Sequence, residues 1–167
     1  SYDLLVQAES GLMDITGHPD GPPTKAGISL ADVAGGLAAV EGILLALFRR
    51  ERTGVGQKID ISLLDSILPL FTYQTGIYFA TGKSPQRRGN RHPTITPYES
   101  FQAKDGHFIL AIASESLWHS FRQKMKEEVQ GSDHSRVEEL LAERFSTNAL
   151  RVQNREELRS ILDSLFC

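Results

Sequence analysis

One segment limits what this chain can become. Leu30 to Arg52 reads LADVAGGLAAVEGILLALFRRER, a run rich in Ala and Leu. Its apolar residues recur at helical spacing through Leu37, Ile43, Leu44 and Leu47. It closes on Arg49, Arg50 and Arg52, which complement the negative end of a helix dipole. The segment therefore predicts a long helix, stopped by the turn Thr53-Gly54-Val55-Gly56. Charge and Gly interrupt its apolar run below the length that spans a bilayer, so no membrane partner is expected.

The flanking segments organise around it. Asp3 to Asp14 predicts a short helix ending near Gly17, and His18 to Gly27, with Pro19, Pro22 and Pro23, a loop. Gln57 to Ser62 alternates polar and β-branched residues, as a short strand does. Leu63 to Thr81 predicts a buried helix that Pro69 can kink. Gly82 to Pro97 is a second loop, rich in Gly, Pro and Arg. Beyond it, Tyr98–Gln102 and His107–Ala113 flank the turn Lys104-Asp105-Gly106 as a β-hairpin. Helical patches follow at Leu117–Val129, Ser135–Glu143 and Arg155–Phe166. The expected fold class is α/β: a helix-rich part of a large α/β domain over residues 1–82, then a small α+β domain with a β-hairpin over 83–167.

Composition narrows the function. A net charge of −3 with scattered Lys and Arg gives no surface for nucleic acid. The five His residues show no ligand spacing, and the lone Cys167 supports neither a disulfide nor a metal site, so no metal is expected. A single terminal Cys fits a reducing, intracellular compartment. The opening Ser1-Tyr2-Asp3-Leu4-Leu5-Val6 is neither an initiator Met nor a signal peptide and resembles the start of an internal helix. It points to a piece of a longer chain.

Asp32 is the first candidate for chemistry. Ser29 and Asp32 stand three apart before an apolar run, which is the spacing of a capping box. Yet Gly35 and Gly36 share its helix face, with Ala39 beyond. Each Gly costs a helix about 1 kcal/mol relative to Ala, so two together need a reason. One is close packing of a second helix. Another is open space beside a carboxylate, into which a bulky reactant can come. A helix N-terminus favours the ionised form that a nucleophile needs. Cap and nucleophile both stand at this point.

Other features are weaker. The glycines of Thr53–Gln57 follow a helix and precede an expected strand, the reverse of a phosphate loop, and fit a plain turn. Arg87-Arg88-Gly89-Asn90-Arg91-His92-Pro93 is either a basic loop over an anionic substrate or a solvated linker. Asp60, Asp65 and His107 fit surface positions, and Trp118 with Phe121 fits a core face.

The combination resembles a known family. Gly21-Pro22-Pro23-Thr24, Leu30-Ala31-Asp32-Val33-Ala34-Gly35-Gly36, Arg52-Thr53-Gly54-Val55-Gly56-Gln57-Lys58-Ile59-Asp60 and Arg88-Gly89-Asn90-Arg91-His92-Pro93 together resemble the class III CoA-transferases of the CaiB/BaiF type. The resemblance is clear over Tyr2 to about Ala113 and looser beyond, where Asn148, Arg151, Asn154 and Arg155 still match. It implies an enzyme that moves CoA from an acyl-CoA to a free carboxylic acid. Asp32 would be the nucleophile, passing through a mixed anhydride and an aspartyl-CoA thioester. Gly35, Gly36, Gly89, Asn90, Arg91 and His92 would bind substrate. No tightly bound cofactor is implied, CoA thioester being a substrate, and the complete enzyme would be an interlocked homodimer. The family also holds 2-methylacyl-CoA racemases, whose paired bases include a His where this chain has Tyr2. That substitution favours the transferase. The nearest likeness is to the succinyl-CoA–glutarate CoA-transferase branch, which implies dicarboxylate substrates and a mitochondrial location. The opposing expectation is an inert piece or dimerisation module of such an enzyme.

Overall fold

The computed structural model describes residues 2–129 and 134–166, so Cys167 lies outside the described residues. The chain forms two compact units, Ser1–Gly89 and Asn90–Cys167.

The first unit is helical. α1 (Asp3–Glu9) and α2 (Leu12–Ile15) replace the single helix expected over Asp3–Asp14. Gly11 divides them at φ +83°, a left-handed conformation that ends one helix and starts the next. α3 spans Leu30–Thr53 and stops at Gly54, also left-handed, whose N–H bonds the Arg50 carbonyl at 2.8 Å. The expected helix over Leu63–Thr81 is α4 (Leu63–Ile67), a 3-10 turn carrying Pro69 (Leu68–Phe71), and α5 (Tyr73–Thr81).

The strand expected at Gln57–Ser62 does not form. A strand exists only by pairing, and among the described residues of this unit no second strand is present to pair with it. The segment lies along α3 instead, where Ile59 and Ile61 fill the space beside Gly42. Val6, Ala31 and Ile67 are fully buried where α1, α3 and α4 meet, with Leu12, Leu63 and Phe71 around them.

The expectation that charge and Gly cut α3 below bilayer length also fails. By length and composition α3 could cross a membrane, with a mean hydropathy of 1.8 over its most apolar window. The reason is local: Glu41 is the only charge between Val33 and Phe48, and the glycines do not interrupt the helix. Core helices of soluble proteins meet the same measure. Much of the helix is uncovered in this chain, Leu37 and Leu45 being 62% and 68% exposed.

The second unit is α+β. β1 (Tyr98–Ala103) and β2 (Gly106–Ala111) pair antiparallel, with Phe101 opposite Phe108 and Ala103 opposite Gly106 across Lys104-Asp105. α6 (Glu115–Glu128) begins where Ser114 Oγ accepts the Leu117 N–H. α7 (His134–Leu140), α8 (Asn148–Gln153) and α9 (Arg155–Phe166) follow. Phe101, Trp118, Leu140, Phe145, Leu158 and Leu162 form its core, with Phe121 packed against it.

Side chains from α8 and α9 pin the loop before β1. Asn148 Oδ1 accepts the Thr96 N–H at 3.1 Å, and its Nδ2 donates to the Thr94 carbonyl at 2.8 Å. Arg155 donates to Thr96 Oγ1 and to the Pro93 carbonyl. Arg151 donates to the Thr96 carbonyl at 2.7 Å and pairs with Glu115 at 2.9 Å.

The hydrogen bond from Arg151, then that from the Asn148 N–H, hold the Glu115 carboxyl below its ordinary 4.5. A lowered carboxyl pKa stabilises the fold above the ordinary value, and that contribution is lost as pH falls through the lowered one. Glu115→Gln is therefore expected to remove part of the acid sensitivity below pH 4.5. Urea midpoints of parent and variant, measured from neutral pH downward, check this. Parallel curves would contradict it.

Candidate active site

The first turn of α3 carries Asp32. Its side chain is exposed, and among the described residues it makes no hydrogen bond or ion pair. The capping box does not form, because Ser29 makes no side-chain cap bond. The cap comes from another helix: Asp3 on α1 accepts the Ala31 N–H at 2.8 Å. A helix leaves its first N–H groups without partners, and a carboxylate near the positive end of the dipole satisfies one. Asp32 is thus released from capping while the turn that bears it is held.

Gly35 and Gly36, predicted as a pair, do different work. Gly35 is buried, and a Cβ there would overlap Leu63 Cδ2 of α4. It permits close helix packing. Gly36 is exposed, with nothing within 4 Å of a Cβ. It lies one turn from Asp32 and leaves the surface beside it bare. Gly36→Ala is therefore expected to stabilise the protein by roughly 0.5–1 kcal/mol through helix propensity alone. Gly35→Ala should forfeit that gain against Leu63, and thermal melts of the two variants should separate accordingly.

The remaining predicted residues fall in two places. Gly89 ends the first unit at φ +60°, its N–H bonding the Gly17 carbonyl at 2.9 Å, and a Cβ there would meet the His18 ring. Asn90, Arg91 and His92 open the second unit. Asn90 Nδ2 donates to Ser100 Oγ at 3.0 Å. Arg91 pairs with Glu99 at 3.0 Å and Glu156 at 2.6 Å. Burial, then the charge of Arg155, lowers the His92 pKa from its ordinary 6.5, so its ring favours the neutral form.

This changes the reading of the basic loop. Arg87 is committed to Asp14 at 2.9 Å and Arg91 to its two acids. Arg88 is exposed and makes no ion pair among the described residues. Partners far along the chain absorb two of three cations that the sequence offered to an anionic substrate. Among the described residues no group of three His, Cys, Asp or Glu could hold a metal.

The family model for CoA-transferase family III matches residues 1–167. The chain belongs to CoA-transferase family III. Among family III proteins, the succinyl-CoA:mesaconate CoA-transferase of Haloarcula marismortui is 39% identical over 96% of this chain and 38% of its own length. The succinate–glutarate CoA-transferase of Agrobacterium fabrum is 37% identical over 98% of this chain and 38% of its own. The crystal structure of a CaiB/BaiF family protein from Brucella suis superposes with a TM-score of 0.76 at 37% identity, covering 99% of this chain and 42% of that one. The chain thus spans about two fifths of the length of these family III relatives.

Two residues escaped the sequence reading: Gln7, and Asp3 in its capping role. Gln7 is fully buried on α1 and joins Asp3 to the loop before α3. The signal was slight. Asp3 and Gln7 stand at i and i+4, a pairing distance on a helix, but their other partners lie more than a dozen residues away.

Proposed function

We propose that this sequence carries the nucleophile of a CoA-transferase and that Asp32 is that nucleophile. The observation that carries the reading is a carboxylate in the first turn of α3 that is exposed, unbonded among the described residues and bordered by the open surface of Gly36. In the proposed reaction an Asp32 carboxylate oxygen attacks the thioester carbonyl of an acyl-CoA. The C–S bond breaks, and CoA leaves as thiolate with its electron pair. The thiolate then attacks the aspartyl carbonyl of the mixed anhydride and displaces the donor carboxylate. An aspartyl-CoA thioester results, and an acceptor carboxylate reverses the sequence. Covalent capture divides one difficult transfer into easier steps.

Donor and acceptor are dicarboxylates in this reading. Support comes from the substrates named for the two relatives above and from Arg88, an exposed loop cation that makes no ion pair among the described residues and could meet a distal carboxylate. The first unit belongs to the large α/β domain and the second is the small α+β domain. The complete enzyme acts as a homodimer, without a resident cofactor, and a mitochondrial location goes with the glutarate branch.

Trapping tests the reading. The complete gene product is incubated with succinyl-CoA and quenched with hydroxylamine. Hydroxylamine nitrogen attacks the aspartyl carbonyl, CoA thiolate departs, and a hydroxamate marks the residue. Peptide mass spectrometry should find it on Asp32. Turnover with Asp32 unmarked would overturn the assignment.

The uncovered apolar residues of α3 favour a second reading for the chain by itself, as a folding and association module without turnover. A thermal shift with CoA separates the two, because a competent binding site stabilises by mass action.

A further inference from the structure

We infer that Gln7 is a positioning residue for Asp32, an inference that rests on Asp32 being the nucleophile. Gln7 is fully buried, in a part of α1 whose neighbour Val6 packs on Ala31 and Ile67. An amide is costly to bury unless its polar atoms are bonded. Here three bonds satisfy it. Its Nε2 donates to Asp3 Oδ2 at 2.7 Å and to the Ile28 carbonyl at 3.2 Å. Its Oε1 accepts the Ala26 N–H at 2.8 Å. Two oxygen acceptors on one side and an N–H on the other leave the amide one orientation.

The consequence reaches Asp32 through Asp3. One Asp3 oxygen is held by Gln7, and the other accepts the N–H of Ala31, the residue before Asp32. Ser29 contributes no side-chain bond to this turn. The first turn of α3 is thus tied to α1 through the carboxylate that Gln7 orients. The same amide also fixes Ala26 and Ile28, on the loop that delivers the chain to α3. Freed of Gln7, the Asp3 carboxylate turns and the Ala31 N–H loses its partner. The turn then frays, and Asp32 samples directions that do not meet the thioester. Gln7 touches no reacting atom. Its effect is on where Asp32 stands.

The test uses Gln7→Glu, Asp3→Asn and the double variant in the complete gene product. Gln7→Glu keeps shape and the acceptor for Ala26 but sets a carboxylate against Asp3. It is expected to lower kcat by about 10- to 100-fold, the scale of a nucleophile misplaced by an ångström. KM for the acyl-CoA should stay unchanged. The double variant restores the link between positions 3 and 7 with donor and acceptor exchanged, though not the bond to the Ile28 carbonyl. Its amide at position 3 keeps an oxygen for the Ala31 N–H and donates to the carboxylate now at position 7. It should recover much of the lost kcat.

A merely structural glutamine would lower Tm and the number of competent sites without altering the rate per site, the sites being counted by hydroxylamine trapping on Asp32. Parent turnover per trapped site in Gln7→Glu, or a double variant no faster than Gln7→Glu, would overturn the inference. Should Gln7→Glu not fold, the half-buried Asp3→Asn carries the same comparison, with its amide set against Gln7 Nε2. A parent enzyme that never traps at Asp32 removes the nucleophile assignment and this inference with it. A parent that traps at Asp32 beside unaffected variants removes this inference alone.

Discussion

Replacing Asp32 with asparagine is expected to abolish CoA transfer while leaving the fold in place. The two halves of this expectation have separate grounds. The side chain is exposed and bonded to nothing among the described residues, so the fold loses only its favourable interaction with the helix dipole. That interaction is worth about 0.3–1 kcal/mol at an exposed site, a shift of a few degrees in Tm at most. Chemistry loses far more. An asparagine amide has no carboxylate oxygen with which to form the anhydride, and removal of a covalent nucleophile costs on the order of 10⁴- to 10⁶-fold in kcat. Transfer from succinyl-CoA, followed by chromatographic separation of the CoA esters, gives the rate, and circular dichroism melting gives the stability. A variant within tenfold of the parent rate would return Asp32 to the surface. Asp3 should differ in one respect: its carboxylate is engaged by Ala31 and Gln7, so its loss must be felt by the fold as well as by the rate.

Elements whose short-range pattern is long or closed by a clear stop could be read from the sequence. α3 was legible because its apolar period runs for several turns and Gly54 stops it. The hairpin was legible because alternation flanks a turn with Gly106 at its end, where β2 begins. What depended on distant partners could not be read. Gln57 to Ser62 alternates as a strand does, but alternation does not supply a neighbour to pair with. α8 is six residues long, too short to show a period of its own. The spacing of Ser29 and Asp32 matches a capping box, yet the acceptor that takes the Ala31 N–H comes from α1. Arg87 and Arg91 carry the charge expected of an anion site, but Asp14 and Glu156, 73 and 65 residues away, neutralise them. For the candidate site, the sequence offers a position, Asp32 with its glycines, while the arrangement around that position comes from partners distant in the chain.

The largest stability effect is expected at Arg151→Met in the second unit. Arg151 is 1% exposed, and its Nε and Nη1 are both engaged. Its Nε donates to the Thr96 carbonyl at 2.7 Å, and Nη1 pairs with Glu115 at 2.9 Å and lies 3.4 Å from the Phe145 and Ser146 carbonyls. Its carbon centre stands 4.8 Å over the Trp118 ring. Methionine fills much of the volume but offers none of these donors. The buried Thr96 carbonyl then lacks a partner, at about 1–3 kcal/mol. Breaking a buried ion pair costs about 3–5 kcal/mol when the partner stays buried. Glu115 is 56% exposed and recovers water, so that part of the loss falls at the low end. A total of ~4 kcal/mol follows, with Arg151→Lys between parent and methionine because one ammonium cannot reproduce the planar fork. Urea unfolding followed by Trp118 fluorescence reads this directly, since Trp118 lies in the same cluster. A Met variant within about 1 kcal/mol of the parent, the scale of an ordinary surface change, would mean that the loop before β1 is held by Asn148 and Arg155 without Arg151. The distinction bears on Asn90, Arg91 and His92, because they precede the residues that this clamp fixes, and a loosened clamp would release His92 from the burial that lowers its pKa.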